Sequence, residues 1–162
     1  MQSPFGLPVS RIKIHVPFRR RELISRSRLI DALYDQLEKR LLLIVAPAGY
    51  GKTSLLVDFA QQSELPVCWL SLDTLDQEPQ RFLRYLIAAI AERFPKFGRD
   101  SLPALESMVT FEQDEERLII TITNEINALI NEHFILILDD YHLVANIPLI
   151  AHMISRFLQL AG

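Results

Sequence analysis

Two groups of residues in this sequence have the types and spacing to do chemistry. The first is Ala46-Pro47-Ala48-Gly49-Tyr50-Gly51-Lys52-Thr53-Ser54. The second is Asp139-Asp140, which closes the apolar run Phe134-Ile135-Leu136-Ile137-Leu138. Glycines at 49 and 51 let a backbone curl so that successive N–H groups point inward at phosphate oxygens. A lysine at the end of such a loop reaches the β- and γ-phosphates, and a following hydroxyl ligates Mg²⁺. Lys52 and Thr53 hold those two positions. The usual pattern is G-x-x-x-x-G-K-[ST], and here Ala46 replaces its first glycine, at a position that mainly closes the turn leaving a strand. The bland alternative is a glycine-rich turn that binds nothing. Position, spacing and context favour phosphate.

The paired carboxylates complete the set. A buried apolar strand would deliver Asp139 to the end of a sheet beside Thr53, where it would hold Mg²⁺ directly or through water. Asp140 would lie nearer the terminal phosphate and could orient an attacking water. Two carboxylates this close repel, and a bound cation is one way to keep both ionised. The alternative is an ordinary strand followed by an acidic turn.

These groups need a strand, a helix and a second strand to position them. Leu41 to Val45 is an unbroken apolar run and reads as a strand buried on both faces. After Lys52, a helix carries Leu55, Leu56, Phe59 and Ala60 at helical spacing. Pro66 to Asp73 reads as another strand. Asp73 falls at its carboxyl end, where open α/β sheets bind ligands, but a cap for the next loop is the favoured role. Helices are expected from Ser27 to Lys39, from Glu78-Pro79 to Phe94, from Glu115 to Asn131, and from Asn146/Pro148 onward, each with one apolar stripe. A short helix is expected around Pro103 to Met108. His142 is read as a surface or cap residue, and His15, His133 and His152 lack metal-ligand spacing.

Composition sets the limits. The chain has 162 residues, 49% apolar and 23% charged, enough for one globular domain. No apolar run approaches the ~20 residues of a membrane span. Met1 to Ser10 lacks the build of a signal peptide. The one cysteine, Cys68, reads as a small buried hydrophobe, and a reducing cytoplasmic setting is the default. Residues 1–40 hold nine Lys/Arg against four Asp/Glu, so that +5 there and −8 in the remainder make up the net charge of −3. Residues 1–22, with Pro4, Pro8 and Pro17, are expected to form an extended basic arm, and residues 23–162 a partial P-loop NTPase domain. No aromatic interleaving or helix-turn-helix pattern supports DNA binding by the arm.

Four stretches in order, A-P-A-G-Y-G-K-T-S-L-L, V-C-W-L-S-L-D, R-F-L-R-Y-L and L-D-D-Y-H-L, resemble the MalT-like branch of the STAND ATPases, large bacterial LuxR-type transcriptional activators. The resemblance runs from about Pro17 to about Phe157. It implies a three-layer α/β/α P-loop NTPase fold with a parallel sheet. It implies ATP or ADP with Mg²⁺ as ligands, Ala48 to Ser54 as the phosphate cradle, Lys52 and Asp140 in catalysis, and Thr53 and Asp139 at the metal. The family's adenosine-contacting segment matches Leu23-Ile24-Ser25-Arg26, with Ser25 in place of the common glycine. It further implies a slow, nucleotide-gated switch that self-associates, with inducer and DNA bound by downstream regions absent here. Phe134 to Asp140 resembles the family's Walker B strand, and in this class a strand after Walker B inserts between the P-loop strand and the Walker B strand. The sequence stops one helix after Asp140, so the expected domain is incomplete, part of a longer protein, and weak or inactive as an isolated ATPase. The alternatives are a free-standing P-loop kinase, for which no lid or arginine-rich acceptor site is seen, and a non-catalytic nucleotide-binding interaction module.

Overall fold

Two short parallel strands carry the architecture. A computed structural model describes residues 9–18 and 26–160, without the side chains of residues 111 and 112. Its helices are α1 (Arg11–Ile14), α2 (Ser27–Tyr34), α3 (Lys52–Gln62), α4 (Pro79–Arg93), α5 (Ser101–Glu106), α6 (Phe111–Leu129) and α7 (Pro148–Leu160). Strand β1 (Val67–Ser71) pairs in parallel with β2 (Ile135–Asp139), Val67 opposite Ile135 and Ser71 opposite Asp139. The chain is therefore α/β, with helices on both faces of a two-stranded sheet.

The pleat of the strands sorts the core. Side chains alternate across a strand, so Trp69 and Ile137 face α2 and α3, in a cluster with Ile30, Leu55, Val57 and Phe59. Cys68 and Leu70 face the other way, into a larger cluster with Phe82, Leu86, Ile87 and Ile90 of α4, Leu118, Ile119 and Ile122 of α6, and Ile150 and Met153 of α7. Burial pushes the Cys68 thiol up to about 12, in keeping with a packing residue. No helix among the described residues is long and apolar enough to cross a membrane.

The expected first strand is not one. Leu41–Val45 joins no ladder. Leu41, Leu43 and Val45 are 59%, 71% and 81% exposed, while Ile44 packs on the α2/α3 cluster. An apolar run forms a doubly buried strand only when a neighbour takes up its backbone N–H and C=O groups. Among the described residues β2 pairs with β1 alone.

Other departures are local. The expected helix from Ser27 ends at Tyr34 and tightens through i to i−3 bonds, Gln36 N–H to Leu33 and Leu37 N–H to Tyr34. Helix α6 starts earlier than expected and stops at Leu129, which is exposed, with Ile130 buried in its place. The arm is not extended throughout. Arg11–Ile14 makes one helical turn, Ile14 enters the larger cluster, and Lys13 donates to Asp73 Oδ2 at 2.8 Å and to Asp76. Residues 1–8 and 19–25 of the expected arm and adenosine segment lie outside the described residues.

Candidate functional site

Strand β2 ends on Asp139, whose pleat position points it at the α3 side of the sheet. Asp139 is only 5% exposed. Its partner is Thr53, whose hydroxyl lies 2.9 and 3.0 Å from the two carboxylate oxygens and donates its proton to them. Burial pushes the Asp139 carboxyl above the usual range; the Thr53 hydrogen bond opposes that shift, and the neighbouring charge of Asp140 adds to it. A site with this bias gains from a nearby positive charge.

Immediately after β2 the backbone turns at Asp140, with φ 57° and ψ 32°. It is the one non-glycine residue with positive φ among those described. Aspartate tolerates this left-handed conformation better than most residues, yet it remains unusual and draws attention to the position. The turn takes Asp140 out of the strand, half-exposed, with one carboxylate oxygen 3.8 Å from His142 Nδ1. His142 is exposed in the short 3₁₀ turn Tyr141–Leu143, as a surface role requires.

The glycine loop meets this edge from α3. Gly49 and Gly51 have φ of 82° and 78°, values that favour glycine. Gly51 is the N-cap of α3, so Lys52, Thr53 and Ser54 form its first turn. The first N–H groups of a helix have no partner within it and present a partial positive charge. Ala48, Gly49 and Tyr50 are exposed. The Lys52 ammonium folds back on the loop, donating to the carbonyls of Ala46 at 2.6 Å and Pro47 at 3.2 Å. Arg26, at the N-cap of α2, donates from Nη1 to the Tyr50 carbonyl at 2.9 Å. Gly49 to Thr53, Asp139 and Arg26 are thus brought to one end of the sheet. Ser54 stands beside them, half-buried.

The donor set suits an anion with a hard divalent cation. Backbone amides at a helix start and an ammonium bind phosphate oxygens. A hydroxyl beside one carboxylate is the sparse protein contribution that Mg²⁺ accepts while keeping waters and phosphate oxygens as its other ligands. No group of three or more His, Cys, Asp or Glu that could cage a metal occurs among the described residues.

A second polar cluster, at the carboxyl end of β1, escaped the sequence reading. Asp73 accepts from Leu75 N–H and forms a capping box with Asp76, so the cap reading of Asp73 holds. Asp76 is 0% exposed. It accepts from Lys13, from Arg81 Nε at 3.1 Å and from Asp73 N–H at 2.8 Å. Lys13 and Arg81 also lie over the Tyr85 ring, 4.6 and 4.9 Å from its centre. The D-x-x-D spacing is a cap signal, but nothing in the sequence joins Lys13 to residues sixty positions away.

The chain is similar to curated HTH-type transcriptional regulators. The chain is 36% identical over 149 residues to the HTH-type transcriptional regulator MalT of Cronobacter sakazakii, a match covering 91% of this chain and 16% of that protein. It is 33% identical over 157 residues to MalT of Klebsiella pneumoniae, with the same coverages. It is 36% identical over 135 residues to MalT of Yersinia enterocolitica, covering 83% of this chain and 14% of that protein. The chain spans about a sixth of the length of the curated relatives it matches. No protein-family model matches it.

Proposed function

We propose that this chain, MalT-like over nine-tenths of its length, is the nucleotide-binding portion of a cytoplasmic, self-associating transcriptional regulator, with Mg-ATP and Mg-ADP as its ligands. One observation carries the reading. Thr53, at the start of the helix that follows the glycine loop, meets Asp139, at the end of β2, at 2.9 Å across 86 residues of sequence. A glycine-rich turn alone would not bring a carboxylate there.

In this reading each residue has a defined task. The amides of Gly49 to Thr53 hold phosphate oxygens. Lys52 leaves the Ala46 and Pro47 carbonyls to pair with the β- and γ-phosphates. Thr53 and Asp139 would hold Mg²⁺, which when bound would supply positive charge to the phosphate oxygens. Asp140, turned out of the strand, accepts a hydrogen bond from water and aims it. Slow hydrolysis would then time a switch whose DNA-reading module lies elsewhere in the regulator.

Calorimetric titration with Mg-ATP and Mg-ADP tests the reading. Wild type binds both, and Lys52→Ala loses on the order of a hundredfold in affinity, about 2.7 kcal/mol. Equal affinity in the two proteins sinks the phosphate-loop assignment. Asp140→Asn binds as wild type does and lowers any hydrolysis measured in parallel. The unpaired segment Leu41–Val45 favours a second reading, a nucleotide-binding module without turnover. Binding without phosphate release would select it.

A further inference from the structure

Arg26 was expected to touch an adenosine. Its observed contacts are of another kind. Nη1 donates to the Tyr50 carbonyl at 2.9 Å. Nη2, Cζ and Nη1 lie 3.5, 3.8 and 3.9 Å from where a Cβ on Gly51 would stand, so the guanidinium rests against the turn itself. Behind that contact is a rigid mount. The Arg26 carbonyl accepts from Leu29 and Ile30 N–H and starts α2. Helix α2 packs through Ile30, Leu33 and Tyr34 on Leu55 and Phe59 of α3, and the Tyr34 and Phe59 rings are 5.1 Å apart. The helix that begins with Lys52 is thus tied to the turn that precedes it by a route outside the loop.

We infer that Arg26 is a positioning residue that braces the phosphate loop, holding the Tyr50–Gly51 peptide so that the amides of the turn stay converged on one anion. This rests on the reading of residues 46–53 as a phosphate loop. The physical need is specific. Gly49 and Gly51 are both in the left-handed region, and glycine's freedom there makes the turn costly to hold. The Tyr50 carbonyl has its partial negative charge taken up by the Arg26 guanidinium. Shape is the role, so the brace serves any polyphosphate and not adenine in particular.

The test separates shape from base recognition. Arg26→Ala in the 162-residue chain is titrated with Mg-ATP, Mg-GTP and Mg-tripolyphosphate. All three affinities fall by the same factor, about three- to tenfold, the range expected for one ordinary hydrogen bond. Arg26→Gln, which still donates an N–H, recovers most of the loss. A second readout needs no ligand. Tyr50 is 62% exposed, and chymotrypsin cuts the ligand-free Arg26→Ala chain after Tyr50 several times faster than wild type, with cutting after the buried Trp69 and Phe82 unchanged. A loss confined to ATP, or unchanged cleavage after Tyr50, overturns the inference and returns Arg26 to the base. Wild type that binds none of the three polyphosphates overturns the phosphate-loop reading itself, and the role of Arg26 with it.

Discussion

The two faces of the β1–β2 sheet are built differently. On one side α4, α6 and α7 bury Phe82, Ile87, Ile90, Leu118, Ile122 and Met153 against Cys68 and Leu70. On the other, a smaller cluster around Trp69 and Ile137 holds α2 and α3, and the chain between them, residues 41–51, lies largely in solvent. What fixes that chain is mostly polar: Thr53 on Asp139, Lys52 on two carbonyls, Arg26 on Tyr50. One face supplies cohesion through area removed from water. The other supplies groups able to exchange their partners for a ligand's. On the proposed reading, stability and chemistry lie on opposite sides of two strands.

The largest expected effect tests the cohesive side. Phe82 is fully buried in the first turn of α4. Phe82→Ala is expected to cost about 3–5 kcal/mol, read as a fall in the urea midpoint. A loss under 1 kcal/mol would move the main core elsewhere and undo the contrast.

Next comes the cluster at the carboxyl end of β1, which links the arm to the cohesive side. Lys13→Ala removes one of three donors to the buried Asp76, and Arg81 and a backbone amide remain. The expected cost is about 1–3 kcal/mol. A pH signature accompanies it. The Lys13 hydrogen bond holds the half-exposed Asp73 carboxyl below its ordinary value of 3.8. A depressed folded value stabilises above the ordinary one and is lost as pH falls through the folded one. The gap between wild type and Lys13→Ala therefore persists at neutral pH and narrows below 3.8. An unchanged gap in acid would show that Asp73 takes no part in what Lys13 contributes.

Sequence made the cohesive side legible and the chemical side only half so. Apolar spacing marks α6 by one stripe. It locates α4 as well, but α4 is buried on nearly every side from Tyr85 to Ala91 rather than on the one face expected, and Pro79 and the Glu78 side chain fix where it begins. The Gly49, Gly51, Lys52, Thr53 and Asp139 pattern was legible because each position demands a particular residue type. Leu41–Val45 misled for a physical reason. An apolar run encodes a wish for burial, and whether a neighbouring strand grants it is a property of the whole sheet. Arg26 was singled out, but its hold on the Tyr50 carbonyl was not, since any backbone accepts an arginine and leaves no mark in sequence.

Asp139 sharpens the comparison because stability and function there should move in opposite directions. Its carboxyl is buried and its folded value is raised. Above that value the ionised form costs stability, and the cost is relieved as pH falls toward the ordinary 3.8. Asp139→Asn keeps an oxygen for the Thr53 hydroxyl and removes the charge. It is expected to raise the melting temperature of the ligand-free protein by a few degrees at neutral pH, by less in acid, and to weaken Mg²⁺-dependent nucleotide binding. A lower melting temperature would show that the charge is compensated in the fold and that the site is structural.

The smallest effect is the most demanding. Leu43 is apolar, central in its run, and by sequence pattern a core residue. In the structure it is mostly exposed. Leu43→Ser is then expected to change stability by less than about 0.5 kcal/mol, as surface substitutions do, against the several kcal/mol of Phe82→Ala. A leucine in a doubly buried strand would cost about 2–5 kcal/mol on truncation. The measurement therefore distinguishes two sheets, a pair of strands with an exposed ridge alongside, or a wider sheet in which Leu41–Val45 finds a partner. If the effect grows with protein concentration, the partner is a second copy of the chain. The polar side would then be completed by association, and the contrast between the two faces would hold only for the single chain.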